Sequence, residues 1–566
     1  MTDEERDEQF YRDTESVAHP ELDDRQLAML EPLGTRRIVR SGEMLFKAGQ
    51  RDLPLTVVLR GELEAFEARE DEEQILGIAG PRKFFGEVGM LTGTASLASA
   101  RGKAEESEIL EVPAARLRQA LAEIPGVSEM IVRAFITRRR RLERDKQFAG
   151  LRILAPDGSR EGRQLDDFLD KNHVPHRLIL SESDPGRALL QRLHLTNRDL
   201  PALITANGMP LRRPSLREVA RVAGLLRTPA AEEESEVLCD LVIVGAGPAG
   251  LGAAVYAASE GLKTVVLESY APGGQAGSSS LIENFFGFPT GVSGGELTYS
   301  AQLQAHRFGA RFSMPSQALT LTFSEGEYRA SLQAEGCHAV LRAKCVIIAT
   351  GADYHRLDAE RREDFEGGGG VYYAATAREG RLCAGATVVV TGAGNSAGQA
   401  AMFLSECAAK VVLVIRGEGL TKSMSSYLSN RVEAKENIEM LRHTEIRKMM
   451  GGKVLEAVEV ENTQTRERRT VPTCAVFSMI GAKPCTDWLP PEIERDERGF
   501  IKTGHAVASA PAWQNASRPP GPLETSRPGI FAAGDVRSGS VKRCAAAVGE
   551  GGVAVEGVHE VLRTYV

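Results

Sequence analysis

Asp240-Leu-Val-Ile-Val-Gly245-Ala-Gly247-Pro248-Ala249-Gly250 reads as a buried strand that passes through a glycine turn into a helix. Eighteen residues after Gly250 a second strand, Val265-Val266-Leu267, ends at Glu268. This spacing restricts the chain to a βαβ unit shaped for a dinucleotide. Gly245 supplies the tight turn, Gly247 lets the backbone approach a pyrophosphate, and Gly250 allows close helix–strand packing. The phosphates sit on the helix N-terminus, where backbone N–H groups are unpaired, and Glu268 can hydrogen-bond a ribose diol. A second copy follows at Gly392-Ala-Gly394-Asn395-Ser396-Ala397, with Ala397 small enough to replace the third glycine. Its second strand, Val411 to Ile415, ends in Arg416 rather than in an acid. An arginine there favours a 2′-phosphate, so NADPH is expected over NADH, with a plain surface arginine as the alternative.

At 566 residues the chain is too long for one domain; at roughly 100–200 residues per domain, three to five are expected. Charged residues make up 26% and the net charge is −8, which gives no overall attraction to nucleic acid or anionic membrane. The acidic start, MTDEERDEQFYRD, lacks the apolar core of a signal peptide. No apolar run reaches the ~18 residues of a transmembrane helix. None of the eight cysteines lies in a C-x-x-C, and none clusters with histidine at metal-ligand spacing, so no metal site is expected. Reduced thiols in a cytoplasmic protein are the simplest reading.

Residues 1–20 are polar and expected to be flexible. From 21 to 112 short strands alternate with Gly-centred turns (Met44–Phe46, Leu55–Leu59, Ile75–Ile78), which suggests a β-barrel or jelly roll. Residues 114–148 read as one helix closing that domain, with Arg138–Arg141 on a solvated face. Residues 150–226 read as strand, helix, strand, helix, then a strand turning at Asn207-Gly208 and a last helix capped by Ser215. An acidic linker spans 227–237. Strands and helices then alternate as in a doubly wound fold.

Two dinucleotide units with Val346-Ile-Ile-Ala-Thr350-Gly351 between them resemble the low-molecular-weight thioredoxin reductases, a branch of the flavoprotein disulfide reductases. Gly273-Gly274-Gln275, Glu283-Asn284, Gly481 and Gly534-Asp535 also match. The resemblance implies an FAD domain in two pieces, 238–356 and 482–566, around an NAD(P)H domain at 357–481, in a homodimer. It places Asp535 on the flavin's ribityl chain and the helix start at Arg543-Cys544-Ala545 beside the isoalloxazine. It departs at one decisive place. Where the family carries Cys-Ala-Thr-Cys, this chain has Ala374-Ala375-Thr376-Ala377. The basic patch for the 2′-phosphate is also thin, with only Lys422 downstream of Arg416.

The front half carries two further resemblances. Residues 21–148, with Gly86-Glu87 in Phe84-Phe85-Gly86-Glu87-Val88-Gly89, resemble a cyclic nucleotide-binding domain in which Glu87 would take the ribose 2′-OH. The arginine that family sets against the cyclic phosphate is replaced by Ser96, and Arg101 lies five residues too late. Residues 150–226 resemble a glutaredoxin-like thioredoxin fold, with Pro201 at its cis-proline position and no cysteine in the stretch Asp157–Gly162. The fold class expected is therefore α/β: two Rossmann-type domains preceded by a jelly roll and a thioredoxin-type domain. The expected activity is an FAD-dependent NAD(P)H oxidoreductase passing electrons from flavin straight to an unidentified acceptor, a small molecule or a redox protein. One alternative is a thiol-disulfide reductase using another cysteine, with Cys544 or Cys383 as candidates. The other is a non-catalytic flavin or nucleotide sensor.

Overall fold

A computed structural model describes residues 3–68, 73–145, 148, 150–226, 236–279, 281–324, 326–335, 340–366, 369–373, 375, 377–420, 424–452, 454–514 and 516–563. Ala374 and Lys422 lie outside the described residues. The chain divides into two compact units. One holds residues 1–242, 254–271 and 301–344; the other holds 243–253, 272–300 and 345–566.

In the first unit, the jelly roll is made of two four-stranded antiparallel sheets. One takes Thr35–Arg40, Glu106–Val112, Leu55–Arg60 and Phe84–Phe85 in that order; the other takes Met44–Phe46, Ser99–Gly102, Leu63–Ala68 and Glu73–Ala79. Residues 3–18, expected to be flexible, form a helix, Asp3–Ala18, instead. It is polar by sequence and is held by partners far along the chain. Tyr11 donates to the Arg141 carbonyl at 2.9 Å, and Arg141 pairs with Glu15 at 2.6 Å. The single helix expected over 114–148 is two, Ala114–Glu123 and Pro125–Arg144. Pro125 lacks the N–H that would continue the first helix and occupies the opening turn of the second.

The arginine run is not a solvated face. Arg138 donates to the carbonyls of Ala18, Gly86 and Phe84 at 2.7, 2.7 and 3.0 Å and lies over the Phe84 ring. Arg139 is 3% exposed, donates to the His173 carbonyl at 3.0 Å and pairs with Glu87. Composition could not reveal this, because a guanidinium is buried only where carbonyls and a carboxylate satisfy its donors.

Residues 151–212 form a four-stranded sheet in the order His176–Leu180, Leu151–Ala155, Ala202–Ile204, Pro210–Arg212. The first pair is parallel and the others antiparallel. Its helices start where hydroxyls cap them: Ser159 accepts from Gly162 N–H at 3.0 Å, Ser183 from Gly186 N–H at 3.1 Å, and Ser215 forms a capping box with Glu218. The Leu200–Pro201 bond is cis.

Still in the first unit, Arg311–Ser313, Thr264–Leu267, Glu236–Val244, Val340–Ile348, Ala330–Ala334 and Ala318–Phe323 follow one another in a sheet. In the second unit, Ile530–Ala532 adds in parallel to Val346–Ile348. A second parallel sheet there runs Val371–Tyr372, Ala475–Ser478, Thr387–Thr391, Lys410–Val414, Ile438–Leu441. Val388, Val389 and Val390 are all fully buried, as a strand covered on both faces requires. The two joins to this inserted domain pair with each other, Ala352–Tyr354 antiparallel to Ala482–Pro484.

Arg139→Ala leaves the Glu87 carboxylate in a poorly solvated place without its cation. A loss of roughly 2–4 kcal/mol is expected for the first unit, read as a lower urea midpoint by circular dichroism. Lys103→Ala, which removes an exposed partner of Glu62, is expected to leave the midpoint unchanged.

Candidate dinucleotide site

Glycine geometry builds the site in the second unit. Gly245 has φ 102°, and a Cβ on it would lie 2.4 Å from the Ala349 carbonyl oxygen. A Cβ on Gly250 would lie 1.8 Å from the Gly245 oxygen, so no side chain fits at the helix start Pro248–Ser259. Gly247, by contrast, opens onto free space. Three other segments converge on this turn. Gly273 N–H donates to the Ala246 carbonyl at 2.8 Å, and a Cβ on Gly274 (φ 52°) would stand 3.1 Å from the Gly247 Cα. A Cβ on Gly534 (φ 77°) would meet the Ala249 methyl at 2.9 Å. Gln275 donates its amide to the Ala352 carbonyl, and Thr350 donates its hydroxyl to the Cys485 carbonyl at 2.8 Å. Gly351 takes φ 66° and accepts from Cys485 N–H at 3.1 Å.

Asp535 follows Gly534, whose N–H donates to Glu550 at 2.7 Å. Burial raises the Asp535 carboxyl above its usual range, Lys542 opposes that rise, and Glu550 adds to it. The helix Cys544–Arg563 packs against the helix of the glycine turn, where a Cβ on Gly551 would lie 2.3 Å from the Ala249 oxygen. Arg543 accepts from Ala547 N–H at 3.0 Å, so Arg543, Cys544 and Ala545 form the first turn. Burial pushes the Cys544 thiol up to about 11, with Asp535 adding to the shift. A thiol in that state is a poor nucleophile. Asn284 lies in an exposed turn beside Glu283, which pairs with Arg431 at 3.5 Å, and no contact brings it to the glycine turn among the described residues.

In the first unit, Glu268 follows Thr264–Leu267 and accepts from Tyr270 N–H at 3.0 Å. Tyr270 donates its hydroxyl to Asp167 at 2.8 Å and meets Phe168 edge to face at 5.4 Å. Both partners lie on the helix Arg160–Lys171 of the 151–212 domain. The sequence pattern contained no signal for that contact, which joins residues 103 apart.

The inserted domain repeats the glycine logic. Gly392 takes φ 132°, and a Cβ there would clash with the Met479 oxygen at 2.2 Å; Ala397 is fully buried beneath it. Gly394 caps the helix Asn395–Leu404, which includes Ser396, and Asn395 accepts from Ser425 N–H at 2.9 Å. Arg416 is exposed just past the strand Lys410–Val414. Gly481, with φ 101°, accepts from His355 N–H at 2.9 Å. The helix Ala377–Leu382 starts at the position of the missing second cysteine.

Residues 239–551 match the family described as pyridine nucleotide-disulphide oxidoreductase. The chain belongs to this family. Similar proteins include a 34.2 kDa protein in the rubredoxin operon of Clostridium pasteurianum, 32% identical over 57% of this chain and 96% of its own length. The thioredoxin reductase of Schizosaccharomyces pombe is 32% identical over 55% of this chain and 93% of its own length. The crystal structure of Lactococcus lactis thioredoxin reductase covers 58% of this chain and 99% of its own, with 27% identity and a TM-score of 0.51. The chain is thus a thioredoxin reductase-like oxidoreductase, from a family that generally depends on FAD and NADPH. Residues 36–123 match the cyclic nucleotide-binding domain.

Within that front domain the expected ligand groups are engaged by the protein itself. Glu87 pairs with Arg139. Ser96 is 5% exposed and donates to the Ala98 carbonyl at 2.8 Å. Ala95 N–H donates to the Ala223 carbonyl at 3.3 Å, and a Cβ on Gly224 would press on it at 2.5 Å. Arg101 pairs with Glu64 and Glu73, both at 2.7 Å, so it does not replace the missing arginine. A cyclic phosphate would lack a charge-assisted partner worth on the order of 1.5–3 kcal/mol, roughly ten- to a hundredfold in affinity. Calorimetry is expected to find cAMP and cGMP binding weaker than about 1 μM. A tighter constant for either would show that Arg139 yields Glu87 to ligand.

Proposed function

We propose that residues 238–566 bind FAD and NADPH and pass electrons from flavin directly to an acceptor outside this chain. The observation that carries this reading is a glycine cradle built to backbone tolerance beside a sequence with alanine at both dithiol positions, Ala374 and Ala377. The residues fit the cofactors. The open face at Gly247 and the N–H groups of the turn through Gly250 suit a pyrophosphate, and Glu268, by the family pattern, a ribose. Asp535, desolvated and with its carboxyl raised, suits a hydroxyl-bearing chain that would hydrogen-bond it. Gly392, Gly394 and Ala397 suit the second pyrophosphate, and exposed Arg416 the 2′-phosphate of NADPH. Bound FAD would supply hydride acceptance from NADPH and onward electron transfer. The chain's own residues position the two nucleotides and cover the reacting faces. Cys544, with its thiol held protonated, takes no part in a disulfide relay.

In this reading the 151–226 domain is a glutaredoxin-like module without thiols. It serves as a docking and control element. Support comes from its sheet order, and from Asp167 and Phe168, which hold Tyr270 two residues beyond Glu268. The acceptor is a redox protein or small molecule that reaches the flavin itself.

The purified protein is expected to carry FAD, seen by its visible absorption, at about one per chain. Asp535→Ala is expected to lower FAD retention through dialysis without altering far-UV dichroism. NADPH oxidation coupled to thioredoxin and insulin reduction is expected at background level, with no change in Cys544→Ser. Robust thioredoxin turnover that disappears in Cys544→Ser would overturn the direct-transfer reading. Absence of flavin even after reconstitution would overturn the cofactor assignment.

A further inference from the structure

Three cysteines meet at the inserted domain's sheet edge away from its glycine turn. Cys383 follows the helix Ala377–Leu382 and is 2% exposed, in the core cluster against which Cys407 also packs. Cys474 stands immediately before the strand Ala475–Ser478 and is exposed. The turn 383–387 brings them together. Ala386 N–H donates to the Cys383 carbonyl at 3.1 Å, and Cys474 N–H donates to the Thr387 carbonyl at 3.3 Å. The side chains of Cys383 and Cys474 are hydrogen-bonded to each other. Val388 and Ala475 are register partners at the start of their parallel strands, whereas Gly392 leaves the opposite end. The pair therefore stands apart from the nucleotide site.

A structural role as packed core thiols fits Cys383 and Cys407. It does not fit Cys474, whose sulfur has a thiol partner and access to solvent. Sequence alone gave Cys383 no resolving partner, because the two cysteines are 91 positions apart (474 − 383).

We propose that Cys474 and Cys383 form a thiol–disulfide exchange site for small disulfides of the glutathione type, with Cys474 attacking and Cys383 resolving. The Cys474 thiolate attacks one sulfur of the small disulfide. That S–S bond breaks, a mixed disulfide forms, and one small thiolate leaves to take a proton. The Cys383 thiol then loses its proton, and its sulfur attacks the Cys474 sulfur. The mixed disulfide breaks and the second small thiol leaves. In balance, two protein thiols are oxidised to one disulfide and the small disulfide is reduced to two thiols. The new bond ties the end of the helix that begins at Ala377 to the strand Ala475–Ser478.

The chemistry favours these roles. The hydrogen bond from Cys383 lowers the Cys474 thiol to about 7, where half is thiolate at neutral pH. Burial pushes Cys239 and Cys485 up to about 12 and raises Cys407. An attacking thiol works best with a pKa near ambient pH.

The test uses the full-length protein, iodoacetamide and oxidised glutathione, with peptide mass spectrometry. Cys474 is expected to alkylate before the other cysteines, with a half-maximal rate near pH 7. In Cys383→Ala its thiolate fraction at pH 7 falls about fiftyfold while nucleophilicity rises about eightfold, so alkylation slows about sixfold. Oxidised glutathione is expected to yield a Cys383–Cys474 cross-linked peptide in the native chain. In Cys383→Ala it stops at a glutathione adduct on Cys474, and Cys407→Ala behaves as the native chain. The native chain decides the matter if a variant misfolds. Cys474 alkylating no faster than Cys544, or a lasting glutathione adduct on native Cys474 without cross-link, overturns the proposal.

Discussion

Backbone-to-backbone approach at glycine is the constraint on which the second unit depends. At Gly245, Gly250, Gly392 and Gly551 a methyl group would stand 1.8–2.4 Å from a carbonyl oxygen. Two of these glycines, Gly245 and Gly392, also hold φ near or above 100°, which a side chain disfavours. The positions cannot relax independently, because each packs an element that carries the next. Gly551 brings its helix onto Ala249, and Gly534 meets the same Ala249 from the strand side. What results is a cradle whose donors are main-chain N–H groups, fixed before any ligand arrives. Such preorganisation supplies electrostatic complementarity without the cost of ordering side chains.

The first unit is organised around buried charge. Arg138 and Arg139 sit side by side on one helix and reach the N-terminal helix, the jelly roll and the 151–226 domain through Ala18, Gly86, Glu87 and His173. Glu67, 5% exposed, adds a further tie by accepting from Gly150 N–H at 2.8 Å. These contacts use groups that a nucleotide-binding barrel would keep for its ligand. A buried ion pair gains little net stability over an apolar one, but it penalises any arrangement that leaves one partner alone. That asymmetry makes it suited to holding three elements in a single register.

The dinucleotide units were legible in the sequence because their requirements are local: glycine spacing, an apolar strand and a following helix all fall within about thirty residues. The domain order, the Ser215 cap and the turn at Asn207-Gly208 were legible for the same reason. The helix Asp3–Ala18 was not, because a polar helix is stabilised by tertiary partners rather than by its own pattern. The arginine run was misread because charge in a sequence says nothing about which carbonyls will surround it.

The sequence by itself determined the family, the glycine cradle and the loss of both dithiol cysteines, since each is a matter of residue type at fixed short spacing. Tertiary structure alone decided the rest. It placed Arg139 against Glu87, Ala223 against Ala95, Asp167 against Tyr270 and Cys383 beside Cys474. Each of these pairs is separated by 52 to 128 positions (139 − 87 at the short end, 223 − 95 at the long). No short-range pattern encodes such a meeting. It arises only when sheets and helices, each folded for local reasons, pack and bring distant side chains within hydrogen-bonding reach.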